Sequence, residues 1–460
     1  MPANLPGSLP AGVTRSSHNG LWSTTYHDFS PRLGFALRLT DRPTILLRGG
    51  YGIYFDRISA DMIEGTLSQP PFSVQQFFFG AQNGAATLQQ PYSPLLPPNS
   101  SYPLFQPRLP GGSQLIEAVS PRAIDPYTEE YNLNLQYALG RDYLIETGYV
   151  GSRSLHVAGS TMFNQAQLAS PSHPVNGATT NTVNNVTQRL PLAGVSPVSL
   201  FNDTRYMSNY NSLQASVTKR MSHGLQFLGS YTWSKNLDET SGSNGAEFYE
   251  LWLSTNDQTN PRQAYGLSDF DRTHRGVLSL TYRTPSVPWG WWVARKALAD
   301  WEISGILVAE SGTPLTIVDN SAGQVYGTYP FEHRAQKSGK PVATSGSLFS
   351  RVINGYLNSS GFTSAPEAAF GTSAADTDFG NSGVGMVRGP GQRNVDMAVE
   401  RAFALEGASS IRMRAELFNV TNTPNFANPN RRLSTGSAFG TISSTSNNPR
   451  IIQVALKYQF

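Results

Sequence analysis

YNSLQASVTKRMSHGLQFLGSYTWSKNL, residues 210–237, decides the fold class of this chain. In its first half Leu213, Ala215 and Val217 alternate with Gln214, Ser216, Thr218 and Arg220. In its second half Leu225, Phe227, Tyr231 and Trp233 alternate with Gln226, Ser230, Thr232 and Ser234. A period of two places each set on one face of a β-strand. Only Ser222, His223 and Gly224 separate the runs, a spacing that joins antiparallel neighbours. Each strand has one apolar face, whereas the strands of a parallel α/β core are apolar on both.

The same alternation recurs outward from this hairpin. At the C-terminus Ile452, Val454, Leu456, Tyr458 and Phe460 oppose Ile451, Gln453, Ala455, Lys457 and Gln459. Stretches 129–139, 392–404 and 409–422 alternate as clearly, and 30–39, 44–56, 142–153, 273–284 and 301–313 do so more faintly, giving eleven candidate strands. Their connections alternate short and long. The short ones are 40–43, 140–141, 222–224, 285–300 and 405–408; the long ones are 57–128, 154–209, 238–272, 314–391 and 423–449. Alternation alone fits a barrel or a sandwich. Placing every long connection at one end is what an outer-membrane barrel does, with short periplasmic turns and long extracellular loops. The strand lengths also suit tilted spans of about 9–11 residues. Tyr137, Tyr143, Tyr149, Trp233, Tyr282 and Trp301 are placed for an interfacial aromatic girdle facing outer-membrane lipid.

Composition agrees. Charged residues are 14% and apolar residues 39% of 460 positions, with 42 Gly, 31 Pro and no Cys. The net charge of +3 shows no clustered basic excess, so no nucleic-acid partner is expected. Without cysteine there is no disulfide scaffold and no thiolate metal site. No apolar run approaches the about 18 residues of a transmembrane helix. Residues 1–28 carry no signal-peptide pattern and read as an irregular, loop-like segment. One stretch, WGWWVARKALAD (289–300), reads as a short helix, either at the periplasmic interface or capping a soluble core.

No catalytic constellation, cofactor motif or metal site stands out, and an enzyme is not expected. Asp269, Asp271 and His274 cluster, but a solvated or interior polar group explains them better than a metal. GVGMVRG (383–389) misses the dinucleotide fingerprint. RGGYG (48–52) suggests a bulge or a close backbone approach. The better candidates are charges on the polar faces: Arg220, Asp396, Glu400, Arg412, Arg414 and Glu416, with Arg283, Arg393, Glu146 and Glu302. These would pair across strands, contact a plug or meet a solute, and pairing is the plainest reading. Phe72, Phe77, Phe78 and Phe79 could stack on a ligand from the first long loop or pack on one another.

Taken in order, FSPRLGFAL (29–37), ILLRGGYGIYFDR (45–57), YNLNLQYALGRDYLIETGYVGSRSLHV (131–157), YNSLQASVTKRMSHGLQFLGSYTWSKNLDE (210–239), DRTHRGVLSLTY (271–282), WEISGILVAESGTPLTI (301–317), GPGQRNVDMAVERAF (389–403) and IRMRAELFNVTNTPNFANPN (411–430) resemble the C-terminal barrel half of Oar-like TonB-dependent outer-membrane transporters. The resemblance implies half of a 22-stranded barrel over 29–460, with plug, N-terminal sandwich domain and signal peptide outside this chain. It implies uptake of an unidentified solute driven through TonB, which would act through those other parts. Leu456, Tyr458 and Phe460 are similar to the signal read by the barrel-assembly machinery. Eleven antiparallel strands cannot close with antiparallel ends, because that needs an even count. The chain is therefore expected to be a fragment of an outer-membrane protein of a Gram-negative bacterium. The alternative is a secreted or surface β-sandwich or propeller that binds glycans, in which the face of Tyr131, Leu133 and Leu135 would be buried against a second sheet.

Overall fold

The computed structural model describes residues 24–58, 60–67, 115–241, 256–285, 299–319, 323–328, 333–364, 378–405 and 409–460, together with 7, 15, 20–22 and 69. Eleven long strands follow one another in a single meander: β1 (Arg32–Asp41), β2 (Thr44–Phe55), β3 (Tyr127–Leu139), β4 (Tyr143–Met162), β5 (Leu200–Ser222), β6 (Leu225–Asp238), β7 (His274–Arg283), β8 (Trp301–Glu310), β9 (Gln392–Ala404), β10 (Ser410–Phe418) and β11 (Ile451–Gln459). Every neighbouring pair is antiparallel. Among the described residues the sheet is open: β1 pairs only with β2, β11 only with β10, and every residue of both is exposed. With eleven strands, β1 and β11 run in the same direction.

The short turns are built as their residues dictate. Ser222 pairs with Leu225, leaving His223 (φ 50°) and Gly224 (φ 78°) as a two-residue loop. Two successive positive φ angles match the twist of the flanking strands. In β2 the glycines serve close approach, not a bulge. A Cβ on Gly49 would lie 2.5 Å from the Phe35 ring, and pairing with both neighbours runs unbroken through 48–52. The bulge falls instead in β1, between Arg38 and Thr40.

Cross-strand register shows one continuous apolar face. Ile45, Tyr137, Ile145, Val217, Gly229, Leu278, Leu307 and Val395 form a row across β2 to β9. Tyr282, Ile303, Val399, Ala415 and Val454 form another across β7 to β11. The first row starts beside a short turn in β2 and ends near the long connection preceding β9. That stagger is the register of strands tilted as in a barrel. Among the described residues no second sheet covers the face: Leu133 is 50% and Leu135 38% exposed, which overturns the sandwich reading.

β4 and β5 are longer than their alternation suggests, at 20 and 23 residues. Their far ends form a ribbon in which Ser160, Thr161, Met162, Leu200, Asn202, Thr204 and Tyr206 are buried whatever their polarity, joined by a parallel segment, Glu117–Val119. The deepest apolar packing also lies in the long connections. Ile317, Ala335, Tyr356, Leu357, Phe362, Val387 and Phe439 make one core, and Val325 with Tyr326 a second. Short paired segments (314–315 with 387–388, 318–319 with 333–334, 336–337 with 362–363) frame the first. Of the expected helix at 289–300, only Ala299 and Asp300 lie within the described residues.

Candidate functional site

The face opposite the apolar one carries most of the charged candidates, and pairing binds most of them. Arg283 Nε donates to Glu302 at 2.8 Å. Glu400 holds Arg412 at 3.0 Å and Arg414 at 3.1 Å, while Arg414 also reaches Glu416 at 2.8 Å. Register explains the ladder: Arg283, Glu302, Glu400 and Arg414 are direct neighbours in one row. Asp396 accepts from Asn394 Nδ2 at 2.8 Å and from the Asn419 backbone N–H at 2.7 Å. Glu146 accepts from Gln136 and, at 3.4 Å, from Ser216. Arg220 differs, because its guanidinium makes no ion pair among the described residues. It lines a hollow of about 410 Å³ with Thr218, Gln226, Ser279 and Thr281. Apolar residues interrupt this face in two adjacent rows, at Leu144, Leu228 and Ile306 and at Leu46, Val277 and Val308.

Arg393 does not belong to this set. It pairs with Ala309 in a row that includes Leu47, Leu135 and Tyr231, so it shares the apolar face at the end of β9 next to a long connection. The physical reason is parity: Arg393 is two residues from Val395. Two further cations on the apolar face went unread in the sequence. Lys219 pairs with Tyr143, and its Nζ turns back to donate to Ser222 O (2.9 Å), Ser222 Oγ (2.8 Å) and Leu225 O (2.8 Å). Arg401 sits over Trp301 (5.5 Å) and Phe403 (4.8 Å). Both lie beside short turns, where an amphipathic cation can keep its stem in lipid and its charge at the interface. Parity with Val217 and Val399 was the signal available for each.

The expected girdle residues Tyr137, Tyr143, Tyr149, Trp233, Tyr282 and Trp301 all fall on the apolar face. Leu456, Tyr458 and Phe460 are exposed at 71%, 56% and 96%, with the last two rings stacked at 5.7 Å. Phe72, Phe77, Phe78 and Phe79 lie outside the described residues. The Asp269, Asp271 and His274 cluster separates. Asp271 is buried and accepts from Arg388, Asn236 N–H (2.7 Å) and Thr273 (3.2 Å). His274 faces the apolar side and pairs its Nδ1 with Tyr231 OH at 2.7 Å.

At the long-connection end the loops form one interlocked layer. The buried Arg189 guanidinium donates to Asn185 Oδ1 (2.9 Å), Gln167 O (2.7 Å), Thr182 O (3.2 Å) and Val325 O (2.6 Å), tying 163–199 to 323–328. Burial lowers its pKa to about 10. Gln165 and Gln258 exchange hydrogen bonds with the neighbouring segments at 2.9 and 3.0 Å, and Asn256 donates to Gly380 O at 3.0 Å. His333 is fully enclosed, with Nε2 2.5 Å from Thr328 Oγ1 and its ring 4.8 Å from Tyr326. Burial lowers its pKa to about 3, against the opposing pull of Asp319.

Comparison with known proteins fits this geometry. Residues 3–453 match the family model described as outer membrane beta barrel domain. No curated protein sequence matches the chain. Similar solved structures include the outer membrane transporter YddB from Escherichia coli (9% identity, TM-score 0.44, covering 90% of this chain and 38% of that one). BauA, the ferric preacinetobactin receptor from Acinetobacter baumannii, is 10% identical (TM-score 0.40, 94% and 36%). The ferric-catecholate import receptor Fiu from E. coli K12 is 9% identical (TM-score 0.36, 93% and 34%). The chain thus spans little more than a third of the length of each. With the family model covering nearly all of its length, this chain belongs to the outer membrane beta barrel domain family and is a protein of the Gram-negative outer membrane.

Proposed function

We propose that the chain is the C-terminal half of an Oar-like TonB-dependent transport barrel, lacking the plug, and that the complete protein takes up a solute. The observation that carries this reading is the pair of open edges. β1 and β11 expose all their residues and run in the same direction, so joining them to each other would make a parallel seam. A second copy inserted with its loops on the same side would also meet each edge in parallel. Antiparallel closure needs an odd number of strands from a different sequence, and backbone groups in hydrocarbon cannot stay unpaired. Half of a 22-stranded barrel satisfies that count.

On this reading 29–460 forms barrel wall and 1–28 belongs to an extracellular loop. Leu456, Tyr458 and Phe460 serve recognition by the barrel-assembly machinery. Among the candidate charges of the polar face Arg220 is the cation left to meet a plug or a solute, whereas Asp396, Glu400, Arg412, Arg414 and Glu416 stiffen the wall. Immunodetection of the native protein in outer membranes tests the proposal. A single polypeptide much longer than 460 residues, with strands and a plug encoded upstream of Met1, is expected. A 460-residue species that alone forms an SDS-resistant, heat-modifiable barrel contradicts it.

A further inference from the structure

The apolar face changes character at the strand ends next to the long connections. There Arg153 on β4, Lys235 on β6 and Arg393 on β9 keep the parity of Thr147, Tyr231 and Val395, and all three are exposed. None of them makes an ion pair among the described residues. Glu129, the cross-strand neighbour of Arg153, is the carboxylate beside them. Between Arg153 and Lys235, β5 places two amides: Asn209 pairs with Arg153, and Asn211 with Lys235. Asn211 is held in position. Its Oδ1 accepts from Tyr131 OH at 3.0 Å and Tyr149 OH at 2.5 Å, and its Nδ2 donates to Asn209 Oδ1 at 2.9 Å. The next row toward the short turns is apolar and open, with Tyr149 44%, Leu213 47% and Trp233 55% exposed.

Strand tilt brings the three cations to one height. Thr147, Ala215, Tyr231, Gly276, Ala309 and Arg393 share a row. A tilt of about 40° lifts such a row by about 3 Å per strand toward the long connections. Lys235 is four residues beyond Tyr231 and Arg153 six beyond Thr147 in the same direction, each residue adding about 2.5 Å of height. Arg153, Lys235 and Arg393 therefore stand level within about 2 Å, about 10 Å above Tyr231. Cations aligned on an otherwise lipid-facing wall mark the plane where hydrocarbon gives way to charged headgroups.

We infer that Arg153, Asn209, Asn211 and Lys235 bind the phosphorylated sugar headgroup of an outer-leaflet lipid. Arg153 and Lys235 each meet a phosphate, the remaining amide N–H groups of Asn209 and Asn211 meet sugar hydroxyls, and acyl chains lie over Tyr149, Leu213 and Trp233. The two cations are about 12 Å apart by strand spacing and rise, which suits a headgroup phosphorylated at both ends better than a single phosphate. Arg393, three strands further on, meets a neighbouring lipid at the same level. The inference rests on the outward orientation of the long loops proposed above, which makes this rim face the outer leaflet.

Native mass spectrometry of the detergent-solubilised protein tests it, titrated with diphosphoryl lipid A, phosphatidylcholine and inorganic phosphate. Saturable binding of lipid A is expected, tighter than phosphatidylcholine by about tenfold or more and undisturbed by millimolar phosphate. Arg153→Gln and Lys235→Gln should each weaken lipid A about fivefold and together about twentyfold, while Lys235→Arg retains the affinity. Should the double variant fail to fold, the salt dependence of the unaltered protein decides, because lipid A affinity should fall several-fold between about 50 and about 500 mM salt. Equal affinity for phosphatidylcholine, displacement by inorganic phosphate, wild-type affinity in the double variant, or affinity indifferent to salt would overturn the inference. Protein that stays soluble without detergent contradicts the barrel reading beneath it. A detergent-dependent barrel that fails to prefer lipid A contradicts this inference alone.

Discussion

The sheet and the loop layer solve opposite problems with the same chain. In the sheet, large apolar residues such as Leu33 (74%), Val454 (72%) and Leu456 (71%) are exposed, and polar residues line the other face. In the loop layer Ile317, Val318 and Ala335 are fully buried, and so are Arg189, Asn181 and Asn256. The first is built for lipid outside and a polar interior, the second for water around a small core. The contrast teaches that burial alone is a poor guide here, because the sheet's missing neighbour is solvent of another kind.

The contrast can be broken from either side. Phe362→Ala removes a ring set edge-on to Phe439 at 5.9 Å in the loop core. It should cost that layer about 3–5 kcal/mol, read as faster amide exchange across 314–363 with the strands unchanged. Leu278→Arg, in mid-β7 on the apolar face, should cost about 2–4 kcal/mol in urea unfolding from lipid vesicles. The adjacent Ser279→Arg, on the polar face, should cost far less in the same assay. Equal effects of the two would break the assignment of faces. Arg189→Met should cost about 1–3 kcal/mol by stranding the carbonyls of Gln167, Thr182 and Val325, again in loop exchange only.

The pH response should separate the two regions further. His333 has a folded pKa of about 3 against 6.5 for the free side chain. Below 6.5 the unfolded loop takes up a proton that the folded one refuses, so loop stability falls as pH drops from 6.5 toward 3. Amide exchange of 318–335, corrected for intrinsic rates, should show that loss, and His333→Gln should remove it. The smallest effect belongs to Arg414→Ala, where a side chain 40% exposed makes two ion pairs. It should change sheet stability by less than about 1 kcal/mol.

The sheet was legible because lipid on one side and water on the other impose a period of two. All eleven long strands carry that imprint, and the alternating connection lengths give their order. Legibility stops where the imprint stops. Beyond Leu155, β4 continues through Gly159, Ser160 and Thr161, which are buried by loop packing and show no alternation. Arg189 and His333 looked like ordinary polar loop residues, because a buried polar network in irregular backbone has no repeat to read. Among the polar-face charges, parity placed Arg220, Glu400, Arg412, Arg414 and Glu416 on one face, and which of them pair required the register. Arg393 shows the cost of weighing charge above parity.

One measurement bears most directly on the claim that this sheet stands in the outer membrane with its apolar face to lipid. The chain has no cysteine, so single cysteines can be placed at 452 through 458 along β11 and labelled with a fluorophore in native outer membranes. Lipid-soluble nitroxide should quench positions 452, 454, 456 and 458 and spare 453, 455 and 457. Quenching without alternation, or access only from water at all seven positions, would contradict it.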